Sequence, residues 1–181
     1  VEGVRVQSGF NFPHKKSGIT QHIRGRRAVV LATGGFASDI RFRLIHDPRL
    51  NKDIDTTNHT GATAEGLNAA LAIGAAALHL DWIQLGPWAS LDEKGWGVGS
   101  LFTMLAGFPY GIMVDANTGR RFVNEMSDRR LRTDAILLKG RTPVAIVDSE
   151  GAEYATTLDK CLKRSVVRAF DSLQDLAMFN T

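Results

Sequence analysis

Apolar and polar residues alternate at residues 1–6 in the run V-E-G-V-R-V, a pattern typical of a half-buried strand. Residues 7–21 are polar and interrupted by glycine and proline, which indicates an irregular hairpin loop. Residues 27–32 then form a continuous apolar run, R-A-V-V-L-A, which is typical of a strand buried on both faces. The start of the chain is therefore expected to consist of strands and loop.

Helical spacing follows this first part of the chain. Ser38 is expected to cap a short helix over residues 39–44, which Pro48 ends. The segment from Ala64 carries apolar or small residues three, four and seven positions apart, namely Leu67, Ala70, Leu71 and Gly74. This spacing predicts an alanine-rich helix that can pack closely against a neighbour.

The second half of the chain alternates between short runs of both kinds, so the whole pattern predicts a mixed fold of the α/β or α+β class. Strands are predicted at residues 77–85, 111–114, 121–123, 144–147 and 166–170, with a hairpin turn at 117–119. Helices are predicted at residues 127–138 and 150–161 and from Leu173, the last capped by Asp171 or Ser172. In the helix at 127–138, spacing puts Leu131, Ala135 and Leu138 on the buried side.

Residues 87–109 show neither period. They hold four glycines and four large aromatic residues, which are Trp88, Trp96, Phe102 and Phe108. This composition indicates an irregular loop region that faces a ligand, although core packing explains each tryptophan equally well.

Composition narrows the class of protein. The 181 residues are 44% hydrophobic and 23% charged, enough for a folded core, and 22 basic against 19 acidic residues is a mild excess. The single cysteine, Cys161, excludes an internal disulfide and a cysteine-cluster metal site, and we expect no metal. We expect no membrane span, since no apolar run reaches about 18 residues, and no nucleic-acid binding, since no basic cluster is interleaved with aromatic residues. Val1 is not methionine, so we expect an internal fragment.

Two glycine-containing motifs could hold a cofactor. A-T-G-G, formed by Ala32, Thr33, Gly34 and Gly35, follows an apolar run, where the glycines let a flat ring approach the backbone. G-A-T-A-E-G at residues 61–66 includes Glu65 and Gly66 and opens the alanine-rich helix, whose N-terminus can bind an anion or a hydroxyl. A tight turn explains the first motif equally well, and plain helix capping explains the second.

A third motif, G-R-R-F-V-N-E-M-S-D-R at residues 119–129, ends in Arg129. On spacing alone, Arg129 is a surface residue paired with Asp128 or Glu125. Together the three motifs resemble the flavoprotein family of fumarate reductase and succinate dehydrogenase, including its soluble flavocytochrome c type. The resemblance covers nearly the whole chain.

The resemblance implies a piece of a Rossmann-like FAD-binding domain at residues 1–45. Residues 46–181 would form most of an inserted α+β capping domain, truncated at its C-terminal end. It also implies FAD as the cofactor of the intact protein. Residues Ala32 to Gly35 would lie against the flavin, and Glu65, in place of the family's aspartate, and Gly66 would lie nearby.

The resemblance further implies a catalytic role for Arg129. In the family, an arginine four residues after R-F-V-N-E delivers a proton to one alkene carbon, while reduced flavin delivers hydride to its neighbour. The pKa of arginine exceeds about 12, so arginine can act as an acid only where carbanion-like charge develops beside it and a relay reprotonates it.

The substrate region departs from the family pattern at two positions, Gly86 and Met104. Gly86, in the run I-Q-L-G-P, stands where the family has a carboxylate-binding histidine, and Thr103 and Met104 stand in place of a Thr-Glu pair that binds substrate and relays protons. We therefore expect a rebuilt pocket for a small unsaturated organic acid or a related, larger or partly aromatic substrate. The family's G-x-G-x-x-G strand and its C-terminal glycine-rich stretch do not occur in this sequence. The expected partners are thus the missing parts of the FAD-binding domain and an electron-donor domain or subunit.

The expected function is that of a fragment of an FAD-dependent oxidoreductase, which reduces an activated C=C bond with hydride from flavin and a proton from Arg129. A flavin dehydrogenase that runs the reverse desaturation is an alternative, because the two directions share their residues. A cap or binding module without catalysis in isolation is the other alternative.

Overall fold

The computed structural model describes residues 2–11, 14, 16–93, 95 and 97–179. Within them the chain forms seven α-helices, one π-helix and five strands in two small sheets, a mixture compatible with the α+β class. The chain divides into two compact units. The first unit is Val1–Ile54 with Asn58–Asp81, and the second is Asp55–Thr57 with Trp82–Thr181.

An antiparallel ribbon opens the first unit. Strand β1 (Gly3–Ser8) pairs with β2 (Ile19–Arg24), so that Ser8 lies opposite Ile19. The strand predicted at residues 1–6 is confirmed over residues 3–6, Glu2 precedes the strand, and Val1 lies outside the described residues. The loop predicted at residues 7–21 is shorter than expected because both of its ends pair as strands.

Two apolar runs of the first half do not form the predicted strands. Residues 27–32 adopt no regular structure and are exposed, Val30 by 83%. Residues 77–85 are equally irregular, and Leu78 is 80% exposed. A strand needs a neighbour for its backbone N–H and C=O groups, and no strand among the described residues pairs with either run.

Two helices follow the ribbon. Helix α1 (Ile40–His46) is capped by Asp39 rather than Ser38, because the Asp39 carboxylate accepts from the amide of Phe42 (2.9 Å). The Ser38 hydroxyl instead donates to the carbonyl of His59 (2.9 Å). Helix α2 (Glu65–Ala72) confirms the alanine-rich helix, which ends just before Gly74 in a left-handed conformation (φ +94°).

The buried side chain of Arg43 holds together the segments before and after α1. Its guanidinium donates to the carbonyls of Ala37 (2.8 Å), Leu50 (2.9 Å), Asn51 (2.6 Å) and Ile54. Backbone carbonyls that have lost water need such donors, so one cation satisfies four acceptors at once. This part of the first unit is therefore fixed by polar contacts.

A hydrophobic core lies in the second unit. It is formed by Phe102, Ala106, Ala155 and Cys161. Helix α3 (Val98–Phe102) runs directly into a π-helix (Thr103–Gly107), so the prediction of one irregular loop over residues 87–109 is wrong. The helix is not visible as a helical spacing of apolar residues, because glycine occupies positions where a side chain would collide with its neighbours. At Gly99, for example, a Cβ would lie 2.8 Å from Cγ1 of Val166. Trp96 lies outside the described residues.

A three-stranded antiparallel sheet flanks this core. Strand β3 (Ile112–Asp115) lies between β4 (Arg120–Arg121) and β5 (Pro143–Ile146). The predicted strands at 111–114 and 144–147 and the turn at 117–119 are confirmed, with Gly119 left-handed (φ +65°), whereas the return strand has only two residues.

The remaining helices are short. Helix α4 (Arg129–Lys139) confirms the prediction at 127–138, while the helix predicted at 150–161 is broken into α5 (Ser149–Ala152) and α6 (Leu158–Lys163). Between them the Thr157 hydroxyl donates to the carbonyl of Val98 (3.0 Å), a tertiary hydrogen bond that competes with a continuous helix.

Residues 166–170 form no strand, since the amides of Val166 and Val167 donate to the carbonyl of Cys161 in α6. Helix α7 (Leu173–Phe179) follows Ser172, whose hydroxyl accepts from the amide of Asp175 (3.1 Å). Across the described residues, no helix combines the length and the apolar character that crossing a bilayer requires.

Candidate functional site

The two glycine-containing motifs of the first unit lie against each other. A Cβ built on Gly66 would lie 2.6 Å from Oγ1 and 2.9 Å from Cγ2 of Thr33, so any larger residue there would displace the threonine. The turn before α1 ties the same two segments together: the Ser38 amide donates to the Ala62 carbonyl (3.0 Å), and the Asp39 carboxylate accepts from the Ala64 amide (3.4 Å). Folding thus joins segments that are far apart in the sequence.

Gly34 and Gly35 border open space. Gly34 is left-handed (φ +76°), and a Cβ on either glycine would meet no atom within 4 Å. Ala32 and Thr33 are exposed beside them, and Glu65 is exposed in the first turn of α2. An exposed backbone without side chains, next to a helix N-terminus, fits the flat ring and polar edge of a flavin.

Arg129 is held by two side chains of the loop that precedes α3. Its Nη1 donates to Oε1 of Gln84 (2.6 Å), and its Cζ lies 4.5 Å from the centroid of the Trp88 ring. Arg129 is half-buried and is the first residue of α4. The predicted surface ion pair is therefore replaced by a hydrogen bond and a cation–π contact.

The two acidic residues expected to pair with Arg129 have other functions. Asp128 caps α4 and accepts from the amides of Arg130 (2.8 Å) and Leu131 (3.1 Å). Glu125 is 3% exposed and binds the guanidinium of Arg121 and the amide of Met113 (2.6 Å). Burial acts to raise the pKa of the Glu125 carboxyl, but these hydrogen bonds outweigh it and hold the pKa below its usual value. The R-F-V-N-E stretch is thus a charged frame that fixes the start of α4.

The three arginines of α4 have different surroundings. The side chain of Arg130 is 89% exposed and lies 3.8 Å from Asp134. Arg132 lies over the ring of Phe108 (4.3 Å) and donates to the Glu125 carbonyl (3.0 Å). Of the three, Arg129 is the arginine whose guanidinium contacts Gln84 and Trp88.

The predicted buried side of α4 is wrong at two positions. Leu131 is 59% exposed and Leu138 is 87% exposed, whereas Ala135 is half-buried. The helix is covered on the face that carries Arg129 and Arg132, because Trp88 and Phe108 pack on the guanidinium groups of these two residues.

The predicted substrate residues fall in two places. Gly86 lies beside the Arg129 contact, since a Cβ there would be 2.8 Å from Cε3 and Cζ3 of Trp88. Thr103 begins the π-helix and donates its hydroxyl to the Gly99 carbonyl (2.9 Å), and Met104 is 36% exposed one residue later. Phe102 and Phe108, in contrast, are buried packing residues with 4% and 3% exposure.

The sequence pattern does not predict Gln84 as a partner of Arg129, and for Trp88 it favours a core position and a pocket position equally. The sequence does carry a signal, because Gln84, Gly86 and Trp88 alternate around Pro87, whose fixed φ limits the conformation of the loop. Within the described part of the chain, no three His, Cys, Asp or Glu side chains are placed to hold a metal.

Comparison with known proteins defines the class. The model of the family described as "FAD binding domain" matches residues 1–179, and the chain belongs to this family of FAD-binding flavoproteins. It is 40% identical to the acrylate reductase flavoprotein subunit of Shewanella woodyi over an aligned region of 183 positions. This region covers 98% of this chain and 36% of that protein.

Two further relatives belong to the same group. The chain is 35% identical to fumarate reductase (cytochrome) of Shewanella frigidimarina over 82% of its own length and 25% of that protein. It is 30% identical to urocanate reductase of Eggerthella lenta over 61% of its own length and 18% of that protein. The resemblance to the fumarate reductase flavoproteins and the assignment of FAD are thereby confirmed. The chain spans about a third or less of the length of these relatives.

Proposed function

We propose that the protein carrying this chain is an FAD-dependent oxidoreductase that reduces a C=C bond conjugated to a carboxylate, with Arg129 as the proton donor. The observation that carries the proposal is the guanidinium of Arg129, which Gln84 and Trp88 hold at the start of α4. The names of the relatives support the substrate class, because acrylate, fumarate and urocanate are all carboxylates with a conjugated double bond.

The first unit would contribute the flavin contacts. Ala32, Thr33, Gly34 and Gly35 would lie against the ring, and Glu65 and Gly66 would lie near it at the start of α2. Bound flavin, once reduced by the external electron donor, would supply the hydride. The open space beside both glycines supports this assignment. Residues 1–45 would be a segment of the FAD-binding domain and residues 46–181 a capping domain, with the rest of the FAD site and the electron donor supplied from outside this chain.

The second unit would contribute the acid. Reduction of a conjugated acid places negative charge on the carbon beside the carboxylate, and a fixed cation stabilises that charge before it gives up a proton. Arg129 suits this step because its guanidinium is oriented by one hydrogen bond and one ring contact. Gly86, Thr103 and Met104 are proposed to line the substrate pocket.

Turnover of single-arginine variants tests the assignment. In the full-length flavoprotein, with FAD content measured first, Arg129→Ala and Arg129→Lys should lower the reduction of acrylate and fumarate at least ~10²-fold. The matched control Arg130→Ala, on the same helix but in solvent, should cost less than about tenfold. In all three variants, an artificial electron donor, such as a reduced dye, should still reduce the flavin at the parent rate.

Two outcomes would contradict the proposal. If Arg129→Ala keeps most of its activity while Arg132→Ala loses it, the proton comes from the other arginine. If the intact protein desaturates the corresponding saturated acids but does not reduce the alkenes, the reaction runs in the opposite direction.

A further inference from the structure

Trp88 and Gly86 are coupled by their contact. A Cβ on Gly86 would lie 2.8 Å from two carbons of the indole, a distance that real Cβ atoms do not adopt. The φ of Gly86 is outside the left-handed region, so its backbone does not require glycine. Pro87 follows and favours an extended conformation at residue 86, which any residue can adopt. Glycine is therefore required at this position only to make room for the indole.

The same indole carries the guanidinium of Arg129. Cζ of Arg129 lies 4.5 Å from the ring centroid, within the range of a cation–π interaction. The hydrogen bond from Nη1 to Gln84 fixes one edge of the guanidinium plane, and the ring limits its displacement along the perpendicular. Two residues of one loop thus restrict a flexible side chain in two directions.

We propose that Trp88 is a positioning residue for Arg129, and that the missing side chain at Gly86 is what allows the indole to occupy this place. The inference rests on the proposed function of Arg129 as the acid. If the inference holds, the loop can carry either a side chain at residue 86 or an indole under Arg129, but not both. A loop with a larger residue at position 86 would have to hold the arginine in another way.

Kinetics of the FAD-loaded, full-length protein test this positioning. Trp88→Leu should lower kcat for acrylate reduction about fivefold to tenfold, leave KM within about twofold, and increase the solvent isotope effect on kcat, because proton transfer becomes slower. Trp88→Phe keeps an aromatic face and should recover kcat to within about threefold of the parent. The control Trp82→Leu removes a tryptophan that is 76% exposed and should change kcat less than twofold.

The role of Gly86 is tested by a double-mutant cycle. Gly86→Ala should lower kcat about as much as Trp88→Leu, because the new methyl group displaces the indole. The double variant should lose no more than either single variant, since both changes abolish one contact. Multiplied losses would overturn the inference, as would an unchanged kcat and isotope effect in Trp88→Leu.

A crystal structure of Gly86→Ala separates this inference from the proposed function. We expect the indole and the Arg129 guanidinium both to be displaced, and an undisplaced pair would overturn the inference whatever the activity. If Arg129→Ala loses turnover but Trp88→Leu does not, the acid assignment stands and the positioning fails. If Arg129→Ala retains turnover, the proposed function fails. The crystal structure of Gly86→Ala then decides by itself whether Trp88 positions Arg129.

Discussion

The two units of this chain are stabilised by different means. The second unit has its own hydrophobic core around Phe102 and Cys161, next to a three-stranded sheet. The first unit has an exposed two-stranded ribbon, and Arg43 donates to four backbone carbonyls on the two sides of α1. Its apolar run at residues 27–32 is exposed. The candidate acid thus lies in the unit with this core, and the candidate flavin contacts lie in the unit whose described residues form no comparable one.

This difference separates two requirements of the proposed enzyme. A proton donor must be held within a fraction of an ångström, which a packed frame achieves through rigid neighbours. A segment that contacts a large cofactor can leave backbone exposed, because the ligand itself covers that surface when it binds. Stability and cofactor retention should therefore respond to different residues.

The largest effect is expected from the core of the second unit. Phe102→Ala removes a buried ring and should lower the free energy of unfolding of that unit by about 3–5 kcal/mol. Val30→Ala, in the exposed run of the first unit, should change it by less than about 0.5 kcal/mol. Urea unfolding of the chain, followed by circular dichroism, measures both. Similar losses in the two variants would show that Val30 is buried in solution.

A smaller effect, confined to the first unit, is expected from Arg43. Arg43→Met keeps the length of the side chain but removes one donor from each of four carbonyls, of which that of Asn51 keeps a second donor, the Ile54 amide (3.2 Å). The loss should destabilise the first unit by about 2–3 kcal/mol. Arg41→Met changes an exposed arginine of the same helix and serves as the control. Hydrogen exchange should show faster exchange of amides at residues 36–54 alone. Loss of protection throughout the chain would mean that the two units are not independently stabilised.

The smallest effect on stability, with a large one on the cofactor, is expected at Gly35. Gly35→Val places a branched side chain in open space, so the free energy of unfolding should change by less than about 0.5 kcal/mol. In the full-length protein the same change should abolish FAD retention, because the side chain occupies the space assigned to the flavin. Flavin absorbance after gel filtration measures this, with Gln21→Val on exposed strand β2 as the control. Normal FAD content in Gly35→Val would place the flavin elsewhere.

Local signals predicted the helices better than the strands. The spacing of small residues located α2, and the amphipathic pattern of residues 127–138 located α4, since both signals act within a few turns of one helix. The runs at 27–32, 77–85 and 166–170 have strand composition, but a strand forms only where a neighbour pairs with it, and composition does not encode that neighbour.

The candidate site was predictable to a similar extent. The R-F-V-N-E motif singled out Arg129, and the glycine motifs singled out Gly34 and Gly66. The contacts of Arg129 with Gln84 and Trp88 were not predictable, because they join a loop to a helix far along the chain. The close contact of the Thr33 side chain with Gly66 was not predictable for the same reason, because it depends on how the fold brings the two segments together.

The π-helix at Thr103–Gly107 makes this part of the chain tolerant of a change in length. Its wider turn, closed by the Phe108 amide on the Thr103 carbonyl (2.9 Å), holds one residue more than an α-helical turn. Deleting one residue would restore the α-helical repeat and keep the direction of the residues beyond it, because the wider turn and the α-helical turn both complete about one rotation. Phe108 would then still face Arg132. An insertion or deletion of a single codon can therefore be absorbed within this one turn, without moving the side chains that follow it.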